Sequence, residues 1–154
     1  MAKFNKVTSK METSKIGVKR VHFMAYINYN EVNIQGFIQK GIFGSGFYFS
    51  VSQFDAIYKF IHDENNEIDY NNMESTFAFF TFDVDFGRAL LVPPSLVSTF
   101  KFPNTLNEYF CDSVIGHLEG NIDEYVVFQE RQIKYLGYEA ITLREFLEIL
   151  NSHE

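Results

Sequence analysis

The sequence predicts a single α+β domain in which strands outnumber helices. Three observations support this class: 18 Phe and 9 Tyr stand among 154 residues, several segments alternate apolar and polar side chains, and two segments have the spacing of amphipathic helices. Aromatic residues favour strands, and strands with a few separate helices define the α+β class. With 46% hydrophobic residues, the chain is long enough for one core and too short for two ordinary domains.

Three segments have the pattern of strands. Residues 18–25 and 77–86 alternate apolar and polar side chains, as a half-buried strand does. Residues 125–128 read Tyr-Val-Val-Phe, a run of β-branched and aromatic residues that is typical of a buried strand. These segments predict the framework of the domain.

Two segments, residues 52–61 and 142–150, predict amphipathic helices. Each begins with Ser or Thr followed three residues later by an acidic residue, the spacing of a capping box, and then carries apolar residues at helical spacing. Residues 28–36 give a third helix signal, which starts at an Asn and stops at a Gly.

The N-terminus predicts a flexible basic arm over residues 1–17, followed by one domain over residues 18–154. Six Lys and Arg fall within residues 1–20 against one acidic residue, Glu12, although the chain carries a formal net charge of −7. A solvated tail is the favoured interpretation, with contact to phosphate or an acidic partner as the alternative. The acidic remainder argues against a broad nucleic-acid face.

Several classes are excluded by what the sequence lacks. Cys111 is the single cysteine, so an internal disulfide and a thiolate cluster are excluded. His62, His117 and His153 lack carboxylate or thiol neighbours at ligand spacing, so we predict no metal site. Since no apolar run approaches the ~20 residues of a membrane span and no signal-peptide core is present, we expect a cytoplasmic protein without membrane contact.

Residues 41–50, Gly-Ile-Phe-Gly-Ser-Gly-Phe-Tyr-Phe-Ser, are the most informative segment because three glycines surround one tyrosine and its aromatic neighbours. Glycine permits positive φ and close approach of the backbone. A tight turn that feeds a strand is the commoner explanation of such a segment, and a cradle for a flat ligand is the alternative.

The neighbouring motifs favour the ligand. In chain order they are His22, then Gly36 fourteen residues later, FGSGFYFS at residues 43–50, Ala56-x-Tyr58, Asp-Ser-Val at residues 112–114, and Asp-Glu-Tyr-Val-Val-Phe at residues 123–128. This order and spacing resembles the catalytic domain of poly(ADP-ribose) polymerases and their mono-ADP-ribosylating relatives. The resemblance covers residues 20–60 and 109–137.

The resemblance implies a split antiparallel β fold that binds NAD and transfers its ADP-ribose with a His-Tyr-Glu triad. The triad in this chain would be His22, Tyr48 and Glu124. His22 would hydrogen-bond the adenine-side ribose, Tyr48 would stack on nicotinamide, and Glu124 would accept from the 2′-hydroxyl of the nicotinamide ribose. Breaking the N-glycosidic bond builds positive charge on the sugar, which a carboxylate stabilises.

The resemblance also implies a wider set of NAD contacts. Tyr58 resembles the second aromatic of the nicotinamide sandwich, and Phe23 stands where a backbone clamp holds the carboxamide. The predicted cofactor-binding set is His22, Phe23, Tyr48, Phe49, Ser50 and Tyr58.

Each site residue has a plain structural alternative. His22 can be a structural histidine, and Tyr48 and Tyr58 can be core aromatics. Glu124 heads a strand and can be a solvated edge residue, and Glu130 offers a second carboxylate on the same face.

Three positions depart from the family pattern. Phe23 and Met24 replace a glycine and a small hydroxyl residue, and Asp55 replaces a serine that often bonds the carboxamide. These departures motivate the alternative function, a catalytically silent module of the same fold that binds a partner or nucleotide. The related RNA 2′-phosphotransferase activity ranks last, because gripping phosphate needs several cations and only seven Lys and Arg follow residue 20.

The sequence therefore predicts an NAD-dependent ADP-ribosyltransferase, an enzyme of the pentosyltransferase type that releases nicotinamide. NAD is expected as the substrate, and transfer of single ADP-ribose units is favoured over polymerisation. The acceptor is left open, with a protein favoured and nucleic acid as the alternative.

Overall fold

The computed structural model of the chain describes residues 10–26, 34–63, 66–117 and 123–152. The strands of this part are β1 Glu12–Lys15, β2 Val18–Tyr26, β3 Ile38–Gly41, β4 Gly44–Phe49, β5 Thr76–Asp85, β6 Arg88–Val92, β7 Ser113–His117, β8 Asp123–Val127 and β9 Ile133–Thr142. The α-helices are α1 Gln53–Ile61, α2 Asn104–Tyr109 and α3 Leu143–Asn151, and short 3-10 helices lie at Ile34–Phe37, Pro94–Thr99 and Glu130–Gln132.

The strands form two sheets, and the α+β class is confirmed. A three-stranded sheet has the order β2-β5-β9, and a six-stranded sheet has the order β1-β6-β7-β8-β4-β3. All pairs are antiparallel except β6 with β7, which run parallel. The structure departs from the predicted split antiparallel arrangement at this pair, whose crossover contains a 3-10 helix and α2.

A core of large aromatic rings lies between the two sheets. Its fully buried phenylalanines are Phe37, Phe47, Phe49, Phe80, Phe82 and Phe86, each at most 2% exposed. Burying such a ring contributes about 1.5–3 kcal/mol. Helices α1 and α3 pack on the outer face of the three-stranded sheet, and α2 with its neighbouring 3-10 helix covers the outer face of the six-stranded sheet.

Both predicted capping boxes lie where helices begin. The Ser52 hydroxyl accepts from the backbone N–H of Asp55 at 3.1 Å, and α1 follows. At α3, Thr142 Oγ1 accepts from the N–H of Glu145, whose carboxylate in turn accepts from the N–H of Thr142 at 3.0 Å.

No helix in the described part of the chain is long and apolar enough to cross a membrane.

The structure corrects the predicted N-terminal arm. Residues 12–15 were expected to be flexible, but they form β1, an edge strand that pairs with β6. Thr13 Oγ1 accepts from Arg88 Nη2 at 2.8 Å, so a polar contact reinforces the pairing. Residues 1–9 lie outside the described residues.

Two segments between β2 and β4 also differ from the sequence prediction. The helix expected over residues 28–36 falls mostly outside the described residues, and the described end forms the 3-10 helix Ile34–Phe37. The next strand, β3, was not predicted, and it pairs with β4 in a tight hairpin with Gly41 opposite Gly44. Gly44 has a φ of 94°, a conformation that favours glycine.

Candidate active site

A cavity of about 510 Å³ lies where β2 and β4 diverge beside α1. His22 and Ser50 mark this point, since the N–H of His22 donates to the Ser50 carbonyl at 2.7 Å and the reverse bond measures 3.0 Å. This backbone pair joins the two sheets. After Ser50 the chain turns into α1, and among the described residues no further strand pairs with this edge of β2. The volume falls in the range of small-molecule sites.

The structure brings together six of the seven sequence-predicted site residues. The cavity is lined by His22, Phe23, Tyr48, Ser50, Tyr58 and Glu124. Phe49 is the exception, because it points to the opposite face of β4 from its two neighbours. Its side chain is 1% exposed and packs on Phe82, with 5.0 Å between ring centroids. The side chain of Phe49, which was predicted among the NAD-binding residues, therefore does not line this cavity.

Glu124 lies on β8, between β7 and β4, and its side chain is 13% exposed. Lys59 Nζ donates to Glu124 Oε2 at 2.8 Å and approaches the carbonyl of Phe49 at 3.5 Å. The carboxylate is thus neither a solvated edge group nor unpaired. Sequence reasoning missed Lys59, which directly follows Tyr58 on α1, and no local motif links it to a partner 65 residues away.

The ring of Tyr48 lies against Gly41, where an added Cβ would come within 2.4 Å of its Cζ. Its hydroxyl donates to the Gly44 carbonyl at 2.7 Å and accepts from the N–H of Phe43 at 2.9 Å. Burial raises the pKa of Tyr48 to about 12, against the effect of the hydrogen bond from Phe43 and with a further increase from the charge of Glu124. Tyr48 is therefore a neutral, fixed wall of the cavity.

His22 lies on β2 with its ring stacked on Phe79 at 4.8 Å between centroids. Its Nδ1 is 3.4 Å from Thr81 Oγ1. Burial lowers the pKa of His22, and the positive charge of Arg20 lowers it further. The imidazole is therefore neutral at pH 7. Because Nδ1 faces Thr81, Nε2 is the nitrogen that can hydrogen-bond a ribose hydroxyl.

The lowered pKa of His22 predicts a loss of folding stability in acid. A histidine whose pKa is lowered in the folded state contributes to stability at pH values above its ordinary pKa of 6.5. That contribution is lost as the pH falls below 6.5 toward the pKa of the folded state. We expect the free energy of unfolding of the wild type to fall more between pH 7.5 and 5.5 than that of His22→Asn, as measured by urea titration. An equal or smaller loss in the wild type would contradict the prediction.

Tyr58 lies on α1 and stacks on His62, with 4.0 Å between ring centroids and 20° between planes. His62 is held there by a contact of 2.8 Å between its Nδ1 and the Tyr58 carbonyl. His62 therefore covers one face of the Tyr58 ring. Both tyrosines of the predicted sandwich line the same cavity.

The register of β2 does not give Phe23 its predicted role as a backbone clamp. Because His22 directs its N–H and C=O toward Ser50, the alternation of the strand turns those of Phe23 toward β5, where Phe80 lies opposite. The Phe23 ring packs edge-on against Phe37 at 5.5 Å between centroids. Met24, whose backbone groups point to the same edge as those of His22, takes the position that can hold a carboxamide.

The described residues contain no cluster of three or more His, Cys, Asp or Glu that could hold a metal ion. One histidine nevertheless has an acidic partner that its sequence neighbours did not reveal. Nδ1 of His117 lies 2.7 Å from Asp123 Oδ1, because β7 and β8 pair these two residues across the sheet.

Comparison with known proteins gives a likeness in fold. No protein-family model matches the chain, and no curated protein matches its sequence. The structure is similar to a chain in the crystal structure of the M. tuberculosis MbcT–MbcA toxin–antitoxin complex, with a TM-score of 0.61. The match covers 90% of this chain and 92% of that chain at 10% sequence identity. At that identity the similarity concerns the fold alone.

Proposed function

We propose that the chain is an NAD-dependent ADP-ribosyltransferase that moves ADP-ribose from NAD to an acceptor and releases nicotinamide. One observation carries this proposal: His22, Tyr48 and Glu124, which the family resemblance selected from three distant segments, line a single cavity. A carboxylate, a neutral imidazole and an aromatic ring are the groups that such a transfer uses.

The lining supplies a partner for each part of the nicotinamide riboside. The rings of Tyr48 and Tyr58 offer aromatic faces to the base, and the open edge of β2 at Met24 offers a backbone donor and acceptor to the carboxamide. The ring of His22 offers a nitrogen to a ribose hydroxyl. Glu124 has a second carboxylate oxygen, Oε1, for the 2′-hydroxyl.

In the proposed reaction, the bond between C1′ of the ribose and the nicotinamide nitrogen breaks, and its electron pair leaves with nicotinamide. The sugar develops oxocarbenium character, which the negative charge of Glu124 stabilises. An acceptor nucleophile then bonds to C1′ and loses its proton to solvent. Because the fold neighbour forms part of a toxin–antitoxin complex, we infer by analogy a protein partner for this chain.

The decisive experiment incubates the full chain with NAD labelled in its adenosine half, together with a cell lysate. We expect label on macromolecules and release of free nicotinamide. Release of nicotinamide with all label in free ADP-ribose would make the protein an NAD hydrolase. Intact NAD after prolonged incubation would contradict the proposed function.

Nicotinamide-like aromatic amides are expected to raise the melting temperature. A ligand at about 100 times its Kd stabilises the native state by about 2.7 kcal/mol, or roughly 5–10 °C for a chain of this length. Tyr58→Ala should remove most of this shift, because it deletes a half-buried wall of the cavity without opening the core. Tyr70→Ala, a matched change at a tyrosine that is 51% exposed and outside the cavity lining, should keep it.

The tyrosine at the centre of the triad gives a second check. Tyr48→Ala should also remove the shift, provided that the variant is folded by circular dichroism. A full ligand shift in folded variants of both tyrosines would place the amide site elsewhere.

A catalytically silent module is the second candidate, and the ion pair of Lys59 with Glu124 favours it. A carboxylate that already neutralises an ammonium has less charge to offer an oxocarbenium ion. This candidate predicts that calorimetry detects NAD binding while no nicotinamide is released.

A further inference from the structure

We propose that Lys59 is a positioning residue that holds Glu124 in the orientation needed for transfer by binding one of its two carboxylate oxygens. The inference rests on the proposed function and concerns a residue that the family resemblance did not select. Lys59 stands one place after Tyr58, on the same helix.

The two carboxylate oxygens of Glu124 have different surroundings. Oε2 of Glu124 accepts from Lys59 Nζ at 2.8 Å. Among the described residues, none hydrogen-bonds Oε1. Because a bound Oε2 removes free rotation of the carboxylate, Oε1 is held where a ligand hydroxyl can donate to it.

The surroundings of the pair distinguish it from a surface ion pair. The side chains of Lys59 and Glu124 are 25% and 13% exposed, and both residues line the cavity. Arg144 and Glu74 form a pair of the same length, 2.8 Å, but are 58% and 71% exposed. Exposed ion pairs contribute little to stability. A partly buried carboxylate that loses its cation, in contrast, is left uncompensated and turns toward water.

Lys59 also connects the carboxylate to the aromatic wall. Helix α1 is fixed by its Ser52 cap and by the buried side chains of Ile57 and Phe60. Tyr58 and Lys59 are consecutive on this helix, so its position sets both the ring and the carboxylate. Misplacement of a reacting group by about 1 Å can lower a rate by about 10²-fold.

An opposite effect has to be weighed, because a cation near a developing positive charge opposes the reaction. The ammonium of Lys59 is neutralised by Glu124 and approaches the Phe49 carbonyl. The two effects predict opposite signs when the cation is removed: lost positioning lowers kcat, and relief of repulsion raises it. We expect positioning to dominate.

The test measures nicotinamide release from NAD by the full chain and by three variants. Lys59→Met keeps the length of the side chain and should lower kcat by about tenfold or more with KM within about threefold. Lys59→Arg, which restores a cationic donor, should recover most of kcat. Arg144→Met removes the exposed ion pair and should leave both constants at their wild-type values.

Each contrary outcome overturns a defined statement. A kcat for Lys59→Met at or above the wild-type value, or an increase in KM alone, overturns the positioning role. Failure of Lys59→Arg to recover activity does so too. If Lys59→Met does not fold, Lys59→Gln takes its place in the same comparison. A wild-type protein that releases no nicotinamide overturns the proposed function together with this inference, whereas the variant results overturn the inference alone.

Discussion

Glu124→Gln is expected to lower kcat for ADP-ribose transfer by about 10²-fold or more while NAD affinity changes by only a few fold. The amide has the shape of the carboxylate but cannot balance positive charge on the sugar, and that charge exists mainly in the transition state. Nicotinamide release under saturating NAD gives kcat, and calorimetric titration gives affinity. Comparable kcat values for variant and wild type would refute the assignment of Glu124.

The structure adds a stability effect to this variant and supplies its control. Glu124→Gln leaves Lys59 without its counter-charge in a partly buried position, so the melting temperature should fall as well. Glu130→Gln is the matched control, because Glu130 was the competing carboxylate in the sequence. Its Oε2 accepts from Gln35 Nε2 at 2.8 Å outside the cavity lining. A large loss of kcat in this control would assign the catalytic role to Glu130 instead of Glu124.

Gly41→Ala is expected to destabilise the fold by about 1–3 kcal/mol and to weaken amide binding. The new Cβ would lie 2.4 Å from Cζ of Tyr48. That ring cannot easily move, because its hydroxyl bonds Phe43 and Gly44 and the side chain is only 6% exposed. Urea titration measures the stability, and the melting-temperature shift with a nicotinamide-like amide measures the site.

A double-mutant cycle tests whether a clash with the Tyr48 ring causes the loss of stability in Gly41→Ala. In a Tyr48→Leu background the ring is absent, so adding Gly41→Ala should cost much less than it does in the wild type. An equal cost in both backgrounds would show that the glycine is needed for its backbone and not for the room that it gives to the tyrosine.

The elements that the sequence predicted correctly are those with local signals. The caps at Ser52 and Thr142 and the alternation along β2 and β5 each lie within about ten residues, so short windows contain the whole cause. Tyr48 and Glu124 were selectable because each lies in a contiguous motif, whereas His22 was selected by its order and spacing relative to those motifs. Their meeting in one cavity was not visible in any single window.

The features that the sequence did not predict depend on pairing between distant segments. β1 forms only because β6 offers a partner edge, and the parallel pairing of β6 with β7 requires a crossover of irregular structure. Lys59 finds Glu124 through the packing of α1 beside β8. The backbone orientation of Phe23 and the side-chain orientation of Phe49 were not predictable, because a motif does not specify which edge or face of a strand a residue presents.

The aromatic core between the sheets acts as a spacer for the cavity. His22 belongs to the three-stranded sheet, whereas Tyr48 and Glu124 belong to the six-stranded one. Rings such as Phe80 and Phe82 fill the gap at close packing. Together with the backbone pair of His22 and Ser50, they keep the two sheets at a fixed separation beside the cavity. A smaller side chain at either phenylalanine position would alter the packing between the sheets that carry His22 and Glu124, so the shape of the cavity depends on residues outside its lining.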